Sequence, residues 1–193
     1  MDTLWTTALW KQFGAAIDML DNAVIACPDT LWQERLWIDP PPPEFPRQFA
    51  EFWYVAFHTI VWLDLYLSGA PEEEFSPPAP FIQGTLDSAE AAPDRPYTRE
   101  DLCAYLASVR QKCHTTIQAL TDEQARRPVE YPWSDGRPIS FLELQLYSMR
   151  HVQGHAAELS LFLGQHGVQT LDWTTRAPDH PKGDQELVRK AAW

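Results

Sequence analysis

The chain is short of cysteine, of basic residues and of long unbroken apolar runs, and each shortage removes a class of protein. Its three cysteines, Cys27, Cys103 and Cys113, form no CxxC pair and are odd in number. A disulfide framework is therefore not expected, and a reducing cytoplasm is the expected location. Fifteen Lys and Arg stand against 27 Asp and Glu, giving a formal charge of −12 and a pI near 4.8. No Lys/Arg cluster offsets that balance, so nucleic acid is not an expected partner. The most apolar stretch, FWYVAFHTIVWLDLYL, is sixteen residues long and holds His58 and Asp64. It is too short and too polar for a membrane span and suits a buried core helix. The N-terminal MDTLWTTALWKQF lacks the basic-then-apolar layout of a secretory signal. No alternating Val/Ile/Thr run and no Asn-Gly turn argues for strands. A Gly-rich phosphate loop and a GxSxG elbow are missing as well.

What the chain does have is a globular composition, 45% apolar with nine Trp, and a length suited to one domain with a proper core. Its seventeen prolines are clustered at 28, 40–46, 71–96, 128–138, 178 and 181. Proline lacks an N–H and clashes with the preceding helical turn, so helix interiors exclude it. Four windows remain, 1–27, 47–70, 97–127 and 139–177, and each carries a helical period. Trp5, Leu9, Phe13, Ile17, Leu20 and Val24 mark one face in the first. The second is apolar nearly all round and stops at Gly69, as expected of a central, well-covered helix. Leu102, Leu106, Val109, Cys113, Ile117 and Leu120 form the third stripe, with Thr98 and Asp101 placed to start it. The fourth opens on Ser140-Phe-Leu-Glu143, a capping-box pattern, and runs to Gly167. The expected fold is all-α: a four-helix bundle over residues 1–170 with long irregular connections, then a polar tail over 171–193. A short helix is expected within DTLWQERLW, and the 70–97 link reads as an irregular crossover or surface flap.

Two histidines, His151 and His155, stand four apart on the inward stripe Leu144, Ser148, His151, His155, Leu159, Phe162. At that spacing both rings can point at one ion. A hydrogen-bonded core pair has the same spacing. His58 shares its face with Tyr54, Val61, Trp62 and Leu65 in the most apolar helix, where an unpaired imidazole would lose hydration. Three imidazoles meeting across the core would leave a further position open, as catalytic zinc sites do. His114, His166 and His180 read as a solvated residue, a helix-end cation and a tail residue. The HExxH helix of zinc proteases is excluded because Val152 occupies the Glu position. Val55, Ser148 and Val152 stand three residues before the three histidines, so the Glu-x-x-His motif of di-iron bundles is excluded too.

This layout resembles the DinB/YfiT-like superfamily, four-helix bundles with a histidine midway along the second helix and an HxxxH pair in the last. The matching residues are His58 in FHTIVWLDLYLSG, and His151 and His155 in YSMRHVQGHAAELSLFLGQHG. The resemblance implies a divalent ion, zinc or nickel, on these three histidines, and a homodimer. It also implies a metal-dependent hydrolase or thiol-S-transferase-like chemistry, the latter with a low-molecular-weight thiol cosubstrate attacking a small electrophile. Glu51 and Glu158 are candidates to hold the outer N–H of a ligating histidine; each also reads as a solvated helix charge. Cys103 and Cys113 read as packing. The alternative is a non-catalytic bundle, stapled by metal or free of it, acting as a binding or stress-response protein. Loops 28–46, 70–97 and 128–138 are the segments expected to shape specificity.

Overall fold

The structure, a computed structural model, describes residues 4–37, 47–82, 93, 95–170 and 173–179. Four long helices dominate: α1 (Leu4–Ala26), α2 (Phe52–Ser68), α3 (Arg99–Ala119) and α5 (Phe141–Gln165). A one-turn helix, α4 (Asp122–Arg126), follows α3. The fold is all-α in its body, as the proline map predicts.

Local chemistry fixes the helix ends. Thr98 Oγ1 and Ser140 Oγ each accept the backbone N–H three residues on, from Asp101 and Glu143, at 3.1 Å. Thr121 and Gln124 complete a reciprocal capping box, which starts a new turn within the third window, just after its apolar stripe ends at Leu120. Gly69 ends α2 with φ of 61°, its N–H bonded to Leu65 O. A Cβ there would stand 2.2 Å from Arg127 Nη2 and 2.8 Å from the Phe141 ring, so close approach as well as backbone sign requires glycine.

Packing sets the arrangement. α1 and α2 each lie against both α3 and α5, which places α1 diagonal to α2. Asp18 of α1 takes Arg110 of α3 bidentately, while Cys27 O beyond the end of α1 meets Arg99 at the start of α3; the two helices are antiparallel. Gln145 early in α5 donates to Tyr66 O late in α2, and Phe52 meets Phe162, so α2 and α5 are antiparallel too. In contrast, Tyr97 before α3 packs on Trp53 and Phe57 of α2, whereas Asp64 farther along bonds Tyr105 and Lys112. α2 and α3 therefore run parallel, and the link between them must travel the length of the bundle. That agrees with a crossover. Its described part buries Phe75 and Phe81, the latter stacked on Phe57 and Tyr105; residues 83–92 and 94 lie outside the described residues.

The strand reading needs one correction. Pro128–Val129 (β1) pairs antiparallel with Ile139–Ser140 (β2), and Arg35 bridges Glu51. Two-residue strands carry no alternating pattern, which is why none was legible. The pair clips the 128–138 loop to the start of α5, and Tyr131 OH anchors it to Ala70 O at 2.9 Å. The DTLWQERLW segment contributes one 3-10 turn, Asp29–Leu31.

The described piece of the C-terminal segment, residues 173–179, runs back over α1. Trp10 Nε1 donates to Pro178 O at 2.8 Å, Ala177 N–H donates to Lys11 O, and Lys11 pairs with Asp179. Ala177 is buried against Gly14, where a Cβ would come within 2.6 Å of the alanine methyl. His114 is half-buried, edge-on to Trp10 and within 3.1 Å of Asp179 O, so it is less solvated than its sequence neighbours suggest. His180 lies outside the described residues. None of the helices among the described residues is long and apolar enough to cross a membrane.

Candidate metal centre

Because α2 and α5 are antiparallel neighbours, residues spaced by four on each form two facing ridges. On α2 the ridge is Tyr54, His58, Trp62, Tyr66; on α5 it is Tyr147, His151, His155. The histidines face each other midway along. His58 Nε2 stands 3.0 Å from His151 Nε2, and His155 Nε2 stands 3.1 Å from the same atom. The ligand atoms of all three lie within 4.8 Å of one another, and the rings meet at 63°, 87° and 90°. Each histidine is half-buried. The site is thus sheltered by the core yet open to solvent on one side.

The donor chemistry can be tested for fit. Two nitrogens sharing an ion at about 2.0–2.1 Å would stand about 3 Å apart, which is the spacing of His151 Nε2 from each of the other two. Glu158 Oε2 lies 2.7 Å from His155 Nδ1. An ionised carboxylate only accepts, so Nδ1 carries the hydrogen and a neutral His155 presents a bare Nε2 to its neighbours. Neutral imidazoles alone serve this arrangement poorly. A hydrogen on His151 Nε2 would be contested by His155 and by His58 on opposite contacts, leaving lone pairs crowded together. A cation at the common point satisfies all three at once. Among the described residues, the convergent His/Cys/Asp/Glu group consists of these three histidines. Three protein ligands leave coordination positions for an exogenous molecule.

The remaining sequence candidates fall elsewhere. Glu51 is the N-cap residue of α2, and its carboxylate accepts Trp53 Nε1–H at 2.7 Å. The indole engages the carboxylate, almost two turns before His58. His166 caps the end of α5 with Nδ1 2.9 Å from Phe162 O. Cys27 and Cys113 are buried and Cys103 is half-buried; all three are free thiols. Burial pushes Cys27 and Cys103 up to about 12 and Cys113 higher still, so none is a thiolate near neutrality.

A second polar cluster lies on the far side of α2, toward α3. Asp64, buried, accepts Tyr105 OH at 2.7 Å and Lys112 Nζ at 2.6 Å. A lone acid in the most apolar helix was the available signal, since such a group needs partners. This cluster ties α2 to α3 and leaves the histidines to α5.

No curated protein and no solved structure matches the chain. The family model of the DinB superfamily matches residues 12–159, from the first helix through His58, His151, His155 and Glu158. With that match spanning well over half of its length and all three convergent histidines, the chain belongs to the DinB superfamily.

Proposed function

We propose that the protein is a metal-dependent enzyme in which His58, His151 and His155 hold one divalent ion, zinc or nickel. The carrying observation is that the ring nitrogens of three histidines lie within 4.8 Å of one another, with His151 Nε2 about 3 Å from each of the other two, at a half-exposed position with no fourth protein ligand among the described residues. Imidazole donors suit zinc, nickel, copper and iron alike, so availability decides the metal. Bound there, such an ion would supply Lewis acidity, lowering the proton affinity of a thiol or water at its open position.

The chain's own residues perform the positioning. Glu158 holds the His155 Nδ1 proton, which fixes the tautomer and aims Nε2 inward. Trp62, one turn past His58, stands 6.2 Å from its ring and helps screen that side from water. A thiolate nucleophile is not offered by the chain, since its cysteines are kept protonated by burial and lie away from the histidine group. That favours a low-molecular-weight thiol cosubstrate attacking a small electrophile, a thiol-S-transferase-like activity.

The test begins with metal analysis of the purified protein beside a His151→Ala/His155→Ala variant. About one equivalent of metal in the parent and a negligible amount in the variant is expected; equal, negligible metal in both would sink the reading. Bacillithiol, mycothiol and glutathione, each paired with a chromogenic electrophile, then test the reaction class. Turnover is expected with one of them and should vanish on stripping the ion. The alternative is an ion that only staples the bundle. It predicts a marked fall in melting temperature on chelation with no turnover by any thiol.

A further inference from the structure

The ridges that bring the histidines together continue past them, and their next residues are aromatic. Beyond His58 comes Trp62, packed on Tyr66; beyond His151 comes Tyr147, itself 5.8 Å from Tyr66. Trp133 from the clipped 128–138 loop stacks on Tyr147 at 4.2 Å and 16°, and keeps 37% of its surface exposed. An aromatic row therefore runs from the metal-facing nitrogens to the surface, about two helical turns long, or roughly 11 Å; Trp62 and Tyr66 are its buried backing, and Tyr147 and Trp133 its accessible wall.

Two features of α5 make this wall accessible and give it a charge. The outer ridge beside Tyr147, His151 and His155 is Arg150, Gly154, Glu158. Gly154 sits mid-helix, where glycine costs about 1 kcal/mol against alanine. Nothing lies within 4 Å of a Cβ built there, so packing within the chain does not demand a glycine. Its effect is to lower the ridge next to His151 and keep the approach open. Arg150 is exposed, its guanidinium 5.8 Å over the Tyr147 ring, and it forms no ion pair among the described residues. In a chain of net charge −12, a cation held on an aromatic face beside a site built for a metal cation favours an anion.

We propose that Tyr147, Trp133 and Arg150, backed by the buried Trp62, form a recognition site for a small anion bearing a flat aromatic face. The ring of the ligand lies along the aromatic wall and its anionic group pairs with Arg150. This deepens the metal-enzyme reading and rests on it only for placing the ligand's reacting end toward the three histidines. The site would exclude small aliphatic anions, which gain nothing from the wall, and neutral arenes, which leave Arg150 unused.

Calorimetric titration of the full-length protein, metal-loaded and metal-free, with three probes tests this. The probes are 2-naphthoate, acetate and 2-naphthylmethanol. Naphthoate should bind on the order of ten-fold more tightly than either of the others, because only it uses both the charge and the ring. Arg150→Gln, at an exposed position, should cost naphthoate about ten-fold and leave naphthylmethanol unchanged. Trp133→Leu should weaken both naphthyl probes. Gly154→Leu should weaken naphthoate while raising or preserving the melting temperature, a split that a merely structural glycine would not give. Equal binding of naphthoate and acetate, or naphthoate affinity unmoved by Arg150→Gln, overturns the proposal. Normal metal content without naphthoate binding defeats this site alone. Naphthoate binding in a protein that takes up no metal defeats the metal reading and leaves the site standing.

Discussion

Glu158 is half-exposed, yet it accepts the one hydrogen that decides which nitrogen of His155 faces inward. Removing it leaves the ring free to adopt either tautomer, so Glu158→Ala is expected to lower metal affinity about 10–100-fold. Competition against a chromogenic chelator reads this out, and unchanged affinity would assign Glu158 to the solvated surface. The cysteines make a different prediction. Desolvation by burial raises Cys27 and Cys103 from 9.0 to about 12, so above pH 9 the unfolded chain releases protons that the folded chain keeps. By linkage their stabilisation is whole below pH 9 and is lost as pH rises toward 12. Urea midpoints should therefore fall progressively over that window, and replacing both cysteines by alanine should flatten the decline. At this scale the sequence was legible in part. HxxxH on a core stripe and a lone histidine in an apolar helix announced a constellation. Which of Glu51 and Glu158 would reach a ring was not written there, because one carboxylate, three positions from a histidine, touches it while the other turns to accept the Trp53 indole.

Among the elements, α2 carries the most. Its apolar circumference lets it contact α5 through the histidines and α3 through Asp64. The Asp64 cluster is expected to dominate the α2–α3 pairing. Asp64→Ala leaves a buried Tyr105 hydroxyl without its acceptor and takes the carboxylate from a partly exposed Lys112, which keeps the backbone carbonyl of residue 64, at a cost of about 2–3 kcal/mol. Tyr105→Phe, which removes one hydrogen bond and leaves the ion pair, should cost about 1 kcal/mol. Urea denaturation of both variants checks the order, and a larger loss for Tyr105→Phe would contradict it. Element existence was the easiest thing to predict, because prolines mark where helices cannot be and apolar periods mark where they are. The two-residue β-pair has no period and depends on hydrogen bonds closed across the 128–138 loop, whereas the break at Thr121 rests on a local Thr-x-x-Gln capping box that interrupts no apolar stripe.

Over the whole molecule, the parallel course of α2 and α3 forces a long crossover, and the C-terminal segment closes over α1 and α3. Truncation after Thr170 would strip the Trp10 Nε1 acceptor and uncover the Gly14 surface. A loss of about 1–2 kcal/mol, or about 3–6 °C in melting temperature, is expected. Metal content should stay the same, since this segment lies on α1 while the histidines belong to α2 and α5. Loss of metal on truncation would mean that the segment supports the centre.

The sequence by itself determined the helical class, the four long helices, the three histidines and the two metal motifs they are not. These follow from local rules: proline geometry, helical period and the spacing of ligands along one helix. Only the tertiary structure decided that α2 and α5 are antiparallel neighbours in register, so that His58 meets His151 and the aromatic ridges beyond them meet Trp133. Register between helices is a property of the packed core and the crossover together. It is set by long-range contacts that no window of the chain contains.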